Sequence, residues 1–343
     1  MVVTSDVPFV EGGHMIIARN TVRALQDYGY EADLVTTPQN RFGRQFRAYL
    51  ANRCTDVGMD GLGRSIHQVI SFRFPSYAVK HSAHVCWLNH RMREYYDLWD
   101  VLRRQLSARG RVKESVRRFM IHRLDTYLLK HSVTRVYAQS LTIQKRLVRW
   151  GRIPSEVLYP PPPRRDYRTD SYGNFIFTVS RLHELKRVDL LVEAFRLTKN
   201  KGLKAVIIGD GPEREPLAKR IRDYGLERRV KLLGPADERT VLAHYGRCRA
   251  VYFCPRNEDY GFVTGEAFAS GKAVLTTLDS GGPAELVEDG RTGFVVEPSP
   301  QALAQKLDLL AEDRKMAEKM GQAGFGFISR LTWPRTVEKL VIV

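Results

Sequence analysis

The chain has 343 residues, 43% of them apolar, and a formal net charge of +17. A single hydrophobic core stops growing at roughly 250 to 300 residues, so this length predicts two domains. The four cysteines form no CxxC pair and no zinc-type cluster, which disfavours a metal site built on cysteine and predicts reduced thiols in a cytosolic setting.

The first half alternates predicted strands and helices, the pattern of a parallel sheet covered by helices. A strand at 1–5 leads through a glycine-bearing turn to a helix at 15–28, with no charged leader and no apolar run near the ~20 residues of a membrane span. The other predicted elements of this half are strands 31–37, 68–72, 83–89 and 135–140, and helices 101–135 and 141–150. We therefore expect a Rossmann-like domain at 1–158.

Positive charge is concentrated in the helical stretch 101–135, which holds ten basic and two acidic residues. The favoured interpretation is a core-facing helix with a solvated basic back; the alternative is a face that rests on anionic lipid. Its apolar stripe comprises Val116, Phe119, Met120, Leu124, Tyr127 and Leu128. The arginines expected to support vesicle binding are Arg103, Arg104, Arg117 and Arg118. No recognised motif accompanies the charge, so nucleic acid is not expected as a partner.

Four consecutive prolines, Pro160 to Pro163, interrupt the alternation and predict an interdomain linker at 159–174. The alternation then restarts, with strands predicted at 175–180, 204–210, 230–234, 250–255, 272–277 and 293–298. We expect a second Rossmann-like domain at 175–330 and a last helix at 331–343. The fold class is thus α/β, with two doubly wound domains facing across a ligand-binding cleft.

Two glycine-bearing turns carry weak signals. Gly12, Gly13 and His14 follow the first strand and open a helix, so their amides could take a phosphate or a sugar hydroxyl, or form an ordinary tight turn. The segment "IIGDGPERE" begins like a dinucleotide fingerprint, but Arg214 stands where the third glycine should be. This disfavours a nicotinamide dehydrogenase.

Two charged motifs follow predicted strands of the second half. Arg181 and Lys186 come after the strand that ends at Ser180, where they would suit a diphosphate or simply be solvated. Glu258 is predicted in a loop and Glu266 in the first turns of a helix that starts near Phe262. Two carboxylates flanking exposed amides are typical of a site for a polyhydroxylated ligand.

The segment "EDYGFVTGE" resembles the E-x7-E motif of the retaining glycosyltransferases of family 4, which have the GT-B fold. The resemblance extends through "SRLHELK", "GDGPE", "EAFASGKAV" and "GGPAELVEDGRTG", over about residues 175 to 297, and is thinner in the first half. It implies a nucleotide-diphosphate-sugar donor, retention of anomeric configuration, and no required metal or other cofactor. It also implies that the domain at 1–158 binds the acceptor, that the domain at 175–330 binds the nucleotide-sugar, and that the helix at 331–343 crosses back to the first domain. One departure is Arg187, which follows Lys186 where many members have glycine.

Carried over residue by residue, the resemblance implies these roles in donor binding. Arg181 and Lys186 contact the diphosphate, Glu258 the transferred sugar and Glu266 the ribose. The backbone amides implied near the phosphate and the sugar belong to Gly261, Phe262 and Val263, with Gly12 and Gly13 approaching from the other domain.

The remaining implied site residues lie in the first half. His90 matches a histidine that faces the donor sugar in relatives. Together with Glu258, Arg181 and Lys186 it completes the implied catalytic set. Arg93, in the same HxxR pattern, and His14 are placed on the acceptor side.

We accordingly expect a metal-independent hexosyltransferase that uses a UDP- or GDP-linked sugar and a sugar, lipid-linked or small-molecule hydroxyl acceptor, as in polysaccharide biosynthesis. The alternatives are a non-hydrolysing nucleotide-sugar epimerase and an inactive nucleotide-sugar-binding module of the same fold. The expected location is the cytoplasm, with a peripheral position at the inner membrane face left open.

Overall fold

The computed structural model describes residues 1–6, 12–39 and 42–342. The chain divides into two compact units, Met1–Pro160 with Thr332–Val343, and Pro161–Leu331. Each unit holds one six-stranded parallel sheet. Within the described ranges, no helix has both the length and the apolar character that a membrane span requires.

The first unit is a doubly wound sheet. Its strands are β1 (Val2–Asp6), β2 (Leu34–Pro38), β3 (Val69–Ser71), β4 (His84–Leu88), β5 (Arg135–Ala138) and β6 (Glu156–Val157), in the spatial order β2-β1-β3-β4-β5-β6. Its helices before the second unit are α1 (Gly13–Asp27), α2 (Gln45–Cys54), α3 (Trp99–Gln105), α4 (Ala108–Tyr127) and α5 (Leu141–Arg149). All five residues of β4 are buried, as expected for a central parallel strand covered on both faces. α2 and β6 were not predicted.

The second unit has the Rossmann strand order. Its strands are β7 (Phe175–Val179), β8 (Lys204–Ile208), β9 (Val230–Gly234), β10 (Ala250–Tyr252), β11 (Ala273–Thr277) and β12 (Gly293–Val296), in the order β12-β11-β10-β7-β8-β9. Its helices are α6 (Val188–Leu197), α7 (Arg214–Asp223), α8 (Glu238–Arg247), α9 (Phe262–Ala269), α10 (Gly282–Leu286), α11 (Pro300–Glu312) and α12 (Arg314–Ile328). All six predicted strands of this half are present. The last helix, α13 (Trp333–Leu340), belongs to the first unit, where Trp333 packs edge-on against Trp87 at 6.4 Å.

The segment from Pro161 to Asn174 lies within the predicted linker. It belongs to the second unit and packs against the rest of that unit. The Thr169 hydroxyl donates to the Ser270 carbonyl at 2.9 Å, and the Tyr172 hydroxyl donates to the Gly271 carbonyl at 2.7 Å. Both acceptors lie at the end of α9. Prolines keep the start of this segment out of regular structure. Side-chain bonds and backbone bonds from Asp170 and Gly173 to the carbonyls of Gly246 and Arg247 hold the rest.

The predicted helix 101–135 is divided, and its orientation corrects the favoured interpretation. α3 and α4 are separated at Leu106 and Ser107, and a π-helical turn, Leu128–Ser132, follows α4. Of the apolar stripe, Leu128 is buried and Leu124 packs partly on the core. Four stripe residues are instead between 44% and 60% exposed, namely Val116, Phe119, Met120 and Tyr127.

The face that α4 buries is polar because other elements provide partners for its carboxylates. Asp125 is fully buried and accepts hydrogen bonds from the hydroxyls of Tyr49, Tyr77 (2.5 Å) and Tyr96 (2.6 Å). Burial raises the pKa of the Asp125 carboxyl. The Arg91 charge and the hydrogen bonds from the three tyrosines lower it, but by less than burial raises it. A buried acid with this many donors is stable only in this orientation, which turns the apolar stripe to solvent.

Candidate active site

The topology of the second sheet brings two sequence motifs together. β7 and β10 are hydrogen-bonded neighbours, although β8 and β9 separate them along the chain. The order of strands reverses between them, and in doubly wound sheets ligands bind beside the carboxyl ends of strands at this point. The loop after β7 carries Arg181 and Lys186, and the loop after β10 carries Glu258. The structure therefore joins residues more than 70 positions apart.

An ion pair links the two loops. Lys186 Nζ lies 2.8 Å from Glu258 Oε2, and each side chain is about one fifth exposed (21% and 22%). The Lys186 ammonium also lies 5.5 Å from the centre of the Phe253 ring. Arg181 is exposed, and no described residue forms an ion pair or hydrogen bond with its side chain. The site thus has one neutralised cation and one cation available to an anion.

Backbone hydrogen bonds hold Glu258 in place. Its N–H donates to the Ser280 carbonyl at 2.8 Å, and its carbonyl accepts from the Gly282 N–H at 3.0 Å. Gly281 has φ +72°, and a Cβ there would lie 2.4 Å from the Glu258 carbonyl oxygen. Position 281 of the "GGP" segment therefore requires glycine, because the backbone of Glu258 passes too close for a side chain. The sequence resemblance did not indicate that this glycine segment holds Glu258 in place.

Arg187, the departure from the family pattern, adopts the left-handed conformation with φ +50° and ψ +41°. Its guanidinium donates to both oxygens of Asp279 (2.9 and 2.7 Å), and also to the carbonyls of Cys254 and Pro255. Burial opposes ionisation of Asp279, but the hydrogen bonds and charge of Arg187 outweigh it and lower the pKa of that carboxyl. The arginine therefore ties the loop after β7 to the loops after β10 and β11.

We expect Arg187→Ala to destabilise the second unit more than Arg187→Gly. Both variants lose the bonds to Asp279 and the carbonyls, but only alanine must keep a left-handed backbone with a Cβ. That strain costs about 1–2 kcal/mol, partly offset by the larger chain entropy of glycine in the unfolded state, so a difference of about 1 kcal/mol should remain. Thermal unfolding of both variants measures it. Equal melting temperatures would contradict the backbone argument.

Helix α9 begins at Phe262, as the sequence predicts, after Gly261 with φ +81°. A Cβ on Gly261 would lie 2.7 Å from the Phe253 ring and 2.9 Å from Pro283, so this position requires glycine. No side chain caps the helix. The amides of Phe262 and Val263 have no intrahelical acceptor, and they sit at the positive end of the helix dipole. This is a suitable position for a phosphate oxygen.

Glu266 lies in α9 and is buried. Arg165 Nη1 donates to Oε1 at 2.8 Å, and the Tyr245 hydroxyl donates to Oε2 at 2.9 Å. Burial raises the pKa of the Glu266 carboxyl against the effects of Arg165 and Tyr245. Sequence reasoning missed both partners, since Arg165 is 101 positions away in the predicted linker. Each carboxylate oxygen can accept a further hydrogen bond, so a hydroxyl donor is still compatible with this geometry.

The "GDG" segment shapes the loop after β7. The Leu182 N–H donates to the Asp210 carbonyl at 2.8 Å. Cβ atoms on Gly209 and Gly211 would lie 1.8 Å from the Ser180 carbonyl oxygen and 2.3 Å from that of Leu182. These glycines allow two loops to pack closely.

The glycine turn of the first unit is described only in part, because residues 7–11 lie outside the described ranges. Gly12 precedes α1, and its carbonyl accepts from the Met15 N–H at 3.0 Å, while Gly13 is the first helical residue. His14 is buried, with Nε2 3.6 Å from Asp6 Oδ1. Burial and the Arg73 charge lower the pKa of His14 to about 4 despite Asp6, so the imidazole is neutral at pH 7.

The predicted HxxR pair lies in a small pocket of the first unit. His90 lines this pocket, and its Nδ1 lies 2.8 Å from the Arg91 carbonyl oxygen. A carbonyl can only accept a hydrogen bond, so Nδ1 carries the proton. In the neutral ring, Nε2 is then a hydrogen-bond acceptor. Arg93 donates from Nη2 to Asp97 Oδ2 at 2.7 Å, and Arg146 lies 3.3 Å from the same oxygen. His90 and Arg93 therefore line one pocket, and Asp97 fixes the arginine.

Comparison with known proteins relates mainly to the second unit. Residues 163–326 match the family model of glycosyl transferases group 1. The D-inositol 3-phosphate glycosyltransferase of Corynebacterium glutamicum is 28% identical over 186 residues, which are 52% of this chain and 44% of that relative. The chain thus spans less than half the length of this curated relative.

Two solved structures resemble nearly the whole chain. HepE of Anabaena, crystallised with UDP and glucose, has a TM-score of 0.67 at 17% identity. The aligned region covers 98% of this chain and 97% of the HepE chain. Sucrose-phosphate synthase of Thermosynechococcus elongatus has a TM-score of 0.74 at 17% identity. The aligned region covers 99% of this chain and 96% of the synthase chain. At this identity the likeness shows the fold alone. The predicted fold class, α/β with two Rossmann-like domains of the GT-B type, is confirmed.

Proposed function

We propose that this protein is a retaining glycosyltransferase of family 4, which transfers a hexose from a UDP- or GDP-linked sugar to an acceptor hydroxyl without a metal ion. The observation that carries the proposal is the Lys186–Glu258 pair at the strand-order reversal of the second unit, with Arg181 in the loop after the neighbouring strand. The family model over residues 163–326 and the UDP bound by HepE support it.

The donor diphosphate would be held by cations and amides. Arg181 has a guanidinium that can bind two phosphate oxygens at once, Lys186 adds a point charge, and the first amides of α9 add partial positive charge. As the bond from the anomeric carbon to the diphosphate stretches, negative charge grows on the leaving oxygen. Losing one group that stabilises such charge typically costs ~3 kcal/mol, about a hundredfold in rate.

Glu258 would bind the transferred sugar. Its carboxylate accepts hydrogen bonds, its backbone is fixed against Ser280 and Gly282, and Lys186 orients the side chain. The acceptor oxygen would attack the anomeric carbon on the face that the diphosphate leaves, so configuration is retained without an enzyme nucleophile. The acceptor proton passes to the departing diphosphate, and the products are the glycoside and a nucleoside diphosphate.

The other predicted residues complete this proposal. Glu266, held by Arg165 and Tyr245, would accept from a ribose hydroxyl. From the first unit, the amides of Gly12 and Gly13 would reach the diphosphate and His90 the donor sugar. Arg93 and His14 would lie on the acceptor side, and the acceptor is a sugar, a lipid-linked sugar or a small molecule.

A donor panel tests the proposal. UDP-glucose, UDP-N-acetylglucosamine and GDP-mannose are offered with sugar, inositol phosphate and lipid-linked acceptors, in excess EDTA, and we expect release of UDP or GDP with one of them. Nuclear magnetic resonance of the product should show the anomeric configuration of the donor.

Each alternative gives a different result in the same panel. An epimerase would change the sugar without forming a glycoside, and an inactive module would bind a sugar nucleotide without releasing nucleoside diphosphate. Activity lost in EDTA and restored by magnesium or manganese would contradict the metal-free mechanism. An inverted product would contradict retention.

A further inference from the structure

The solvent face of α4 carries apolar side chains along its length. Five exposed side chains lie within one arc of the helix, at spacings of three, four and seven: Val112, Val116, Phe119, Met120 and Tyr127. Helices of folded units normally direct such a stripe to the core. Here Asp125 and Glu114 take the core positions, so the stripe has no cover among the described residues. We call these five residues the α4 outer face.

Only cations surround the α4 outer face within 101–135. Both acidic residues of this stretch are buried: Glu114 accepts from Tyr95 at 2.7 Å and Asp125 from three tyrosines. Five Lys or Arg residues of α4 and its π turn are exposed, namely Arg109, Arg111, Lys113, Arg123 and Lys130. At about 100° per residue, Arg109 and Arg123 lie within the same arc as the apolar side chains, so the surface interleaves apolar groups with positive charge.

Two of the arginines expected to bind lipid face inward. Arg117 Nη1 pairs with Glu114 at 2.5 Å, and Arg118 Nε donates to the Tyr95 carbonyl at 2.8 Å while its guanidinium lies over the Trp99 ring. Both guanidinium groups are therefore bound to partners within the first unit. The other two, Arg103 and Arg104, are exposed in the last turn of α3, so the sequence indicates only part of the contributing cations.

A groove beside the α4 outer face combines the same two properties. It runs between α4 and the end of α5, and its lining includes Phe119, Tyr127, Trp150, Arg123, Lys130 and Arg149. The Arg149 guanidinium lies 4.8 Å from the Trp150 ring centre, and that of Arg123 lies 5.2 Å from the Phe119 ring centre. Aromatic rings beside cations match the boundary between acyl chains and phosphate headgroups.

We propose that the α4 outer face docks on the surface of an anionic lipid bilayer, with its apolar side chains among the acyl chains and the long neighbouring Lys and Arg side chains reaching the phosphates. A helix whose exposed side combines apolar and aromatic residues with Lys or Arg can lie in this way in the membrane interface. Charge complementarity selects anionic lipid, since the described acids of this stretch are buried. The proposal concerns binding alone and does not depend on the transfer reaction.

Vesicle sedimentation of the full-length protein tests the proposal. We expect binding to phosphatidylcholine vesicles that contain phosphatidylglycerol, weak binding to phosphatidylcholine alone, and weakening by salt because exposed charges are screened. Phe119→Gln with Met120→Gln should weaken binding by at least about tenfold, since each loses an inserted apolar group. Arg123→Gln, Lys130→Gln and Arg149→Gln together should weaken it by roughly a hundredfold, at about fivefold per cation.

Matched variants of the second unit provide the controls. Leu309→Gln with Phe325→Gln removes two other exposed apolar side chains, and Arg222→Gln, Arg228→Gln and Arg239→Gln remove the same charge. Both controls should bind vesicles like the wild type. Equal loss in the controls, equal binding to neutral vesicles, or no binding at low salt would overturn the proposal. A concentration-dependent dimer that Phe119→Gln and Met120→Gln abolish, without vesicle binding, would identify a protein partner instead.

Discussion

Replacing Glu258 with alanine is expected to reduce sugar transfer by at least about a hundredfold while nucleoside diphosphate binds as tightly as before or more tightly. The carboxylate is proposed to contact the sugar, so the nucleotide loses no partner. Lys186, now 2.8 Å from Glu258 Oε2, is released from its ion pair and becomes available to the diphosphate. Steady-state kinetics with the donor found by the panel, and calorimetry with UDP or GDP, measure the two effects.

Two further variants separate this role from a general effect of charge. Lys186→Ala should weaken binding of nucleoside diphosphate, the opposite of Glu258→Ala, and Glu312→Ala, an exposed acid at the end of α11, should leave transfer and binding unchanged. Wild-type turnover in Glu258→Ala would exclude a role for this carboxylate in transfer. Parallel loss of nucleotide affinity and turnover would instead identify Glu258 as a residue that maintains the fold of the loop.

Replacing Asp125 with alanine is expected to be the most destabilising single change in the first unit. It leaves the hydroxyls of Tyr49, Tyr77 and Tyr96 without their acceptor inside the core, at about 1–3 kcal/mol for each unsatisfied buried group. With each group near the lower end of that range, a total of about 3–5 kcal/mol lowers the melting temperature by roughly 6–20 °C for a unit of this size. Calorimetric unfolding measures it.

The pH dependence of this loss tests the cause. Burial raises the pKa of Asp125 above that of the unfolded chain, so the folded state retains a proton that the unfolded state releases. The stability that Asp125 contributes is therefore fully present below the unfolded pKa and declines as pH rises through the folded pKa. The difference between wild type and Asp125→Ala should shrink as pH rises. Asp100→Ala, an exposed control in α3, should change stability by no more than about 0.5 kcal/mol at any pH.

The sequence by itself determined the fold class and the strands of the second unit, beside which the candidate site lies. Apolar runs bounded by turn residues marked all six strands of that unit, because a parallel sheet covered on both faces requires them. Gly261 marked the start of α9 at Phe262, since a chain that needs φ +81° beside Phe253 and Pro283 has no alternative to glycine. Such signals are local, and local sequence suffices to predict them.

Only the tertiary structure decided which face of α4 is buried and what holds Glu266. The sequence pattern of α4 favours an inward apolar stripe, but Tyr49 and Tyr77, 76 and 48 positions from Asp125, provide the hydroxyls that make burial of the opposite, acidic face possible. Arg165 reaches Glu266 across 101 positions in the same way. The free energy of burying a charged group depends on partners that other elements bring to it, and no periodicity within one helix contains that information.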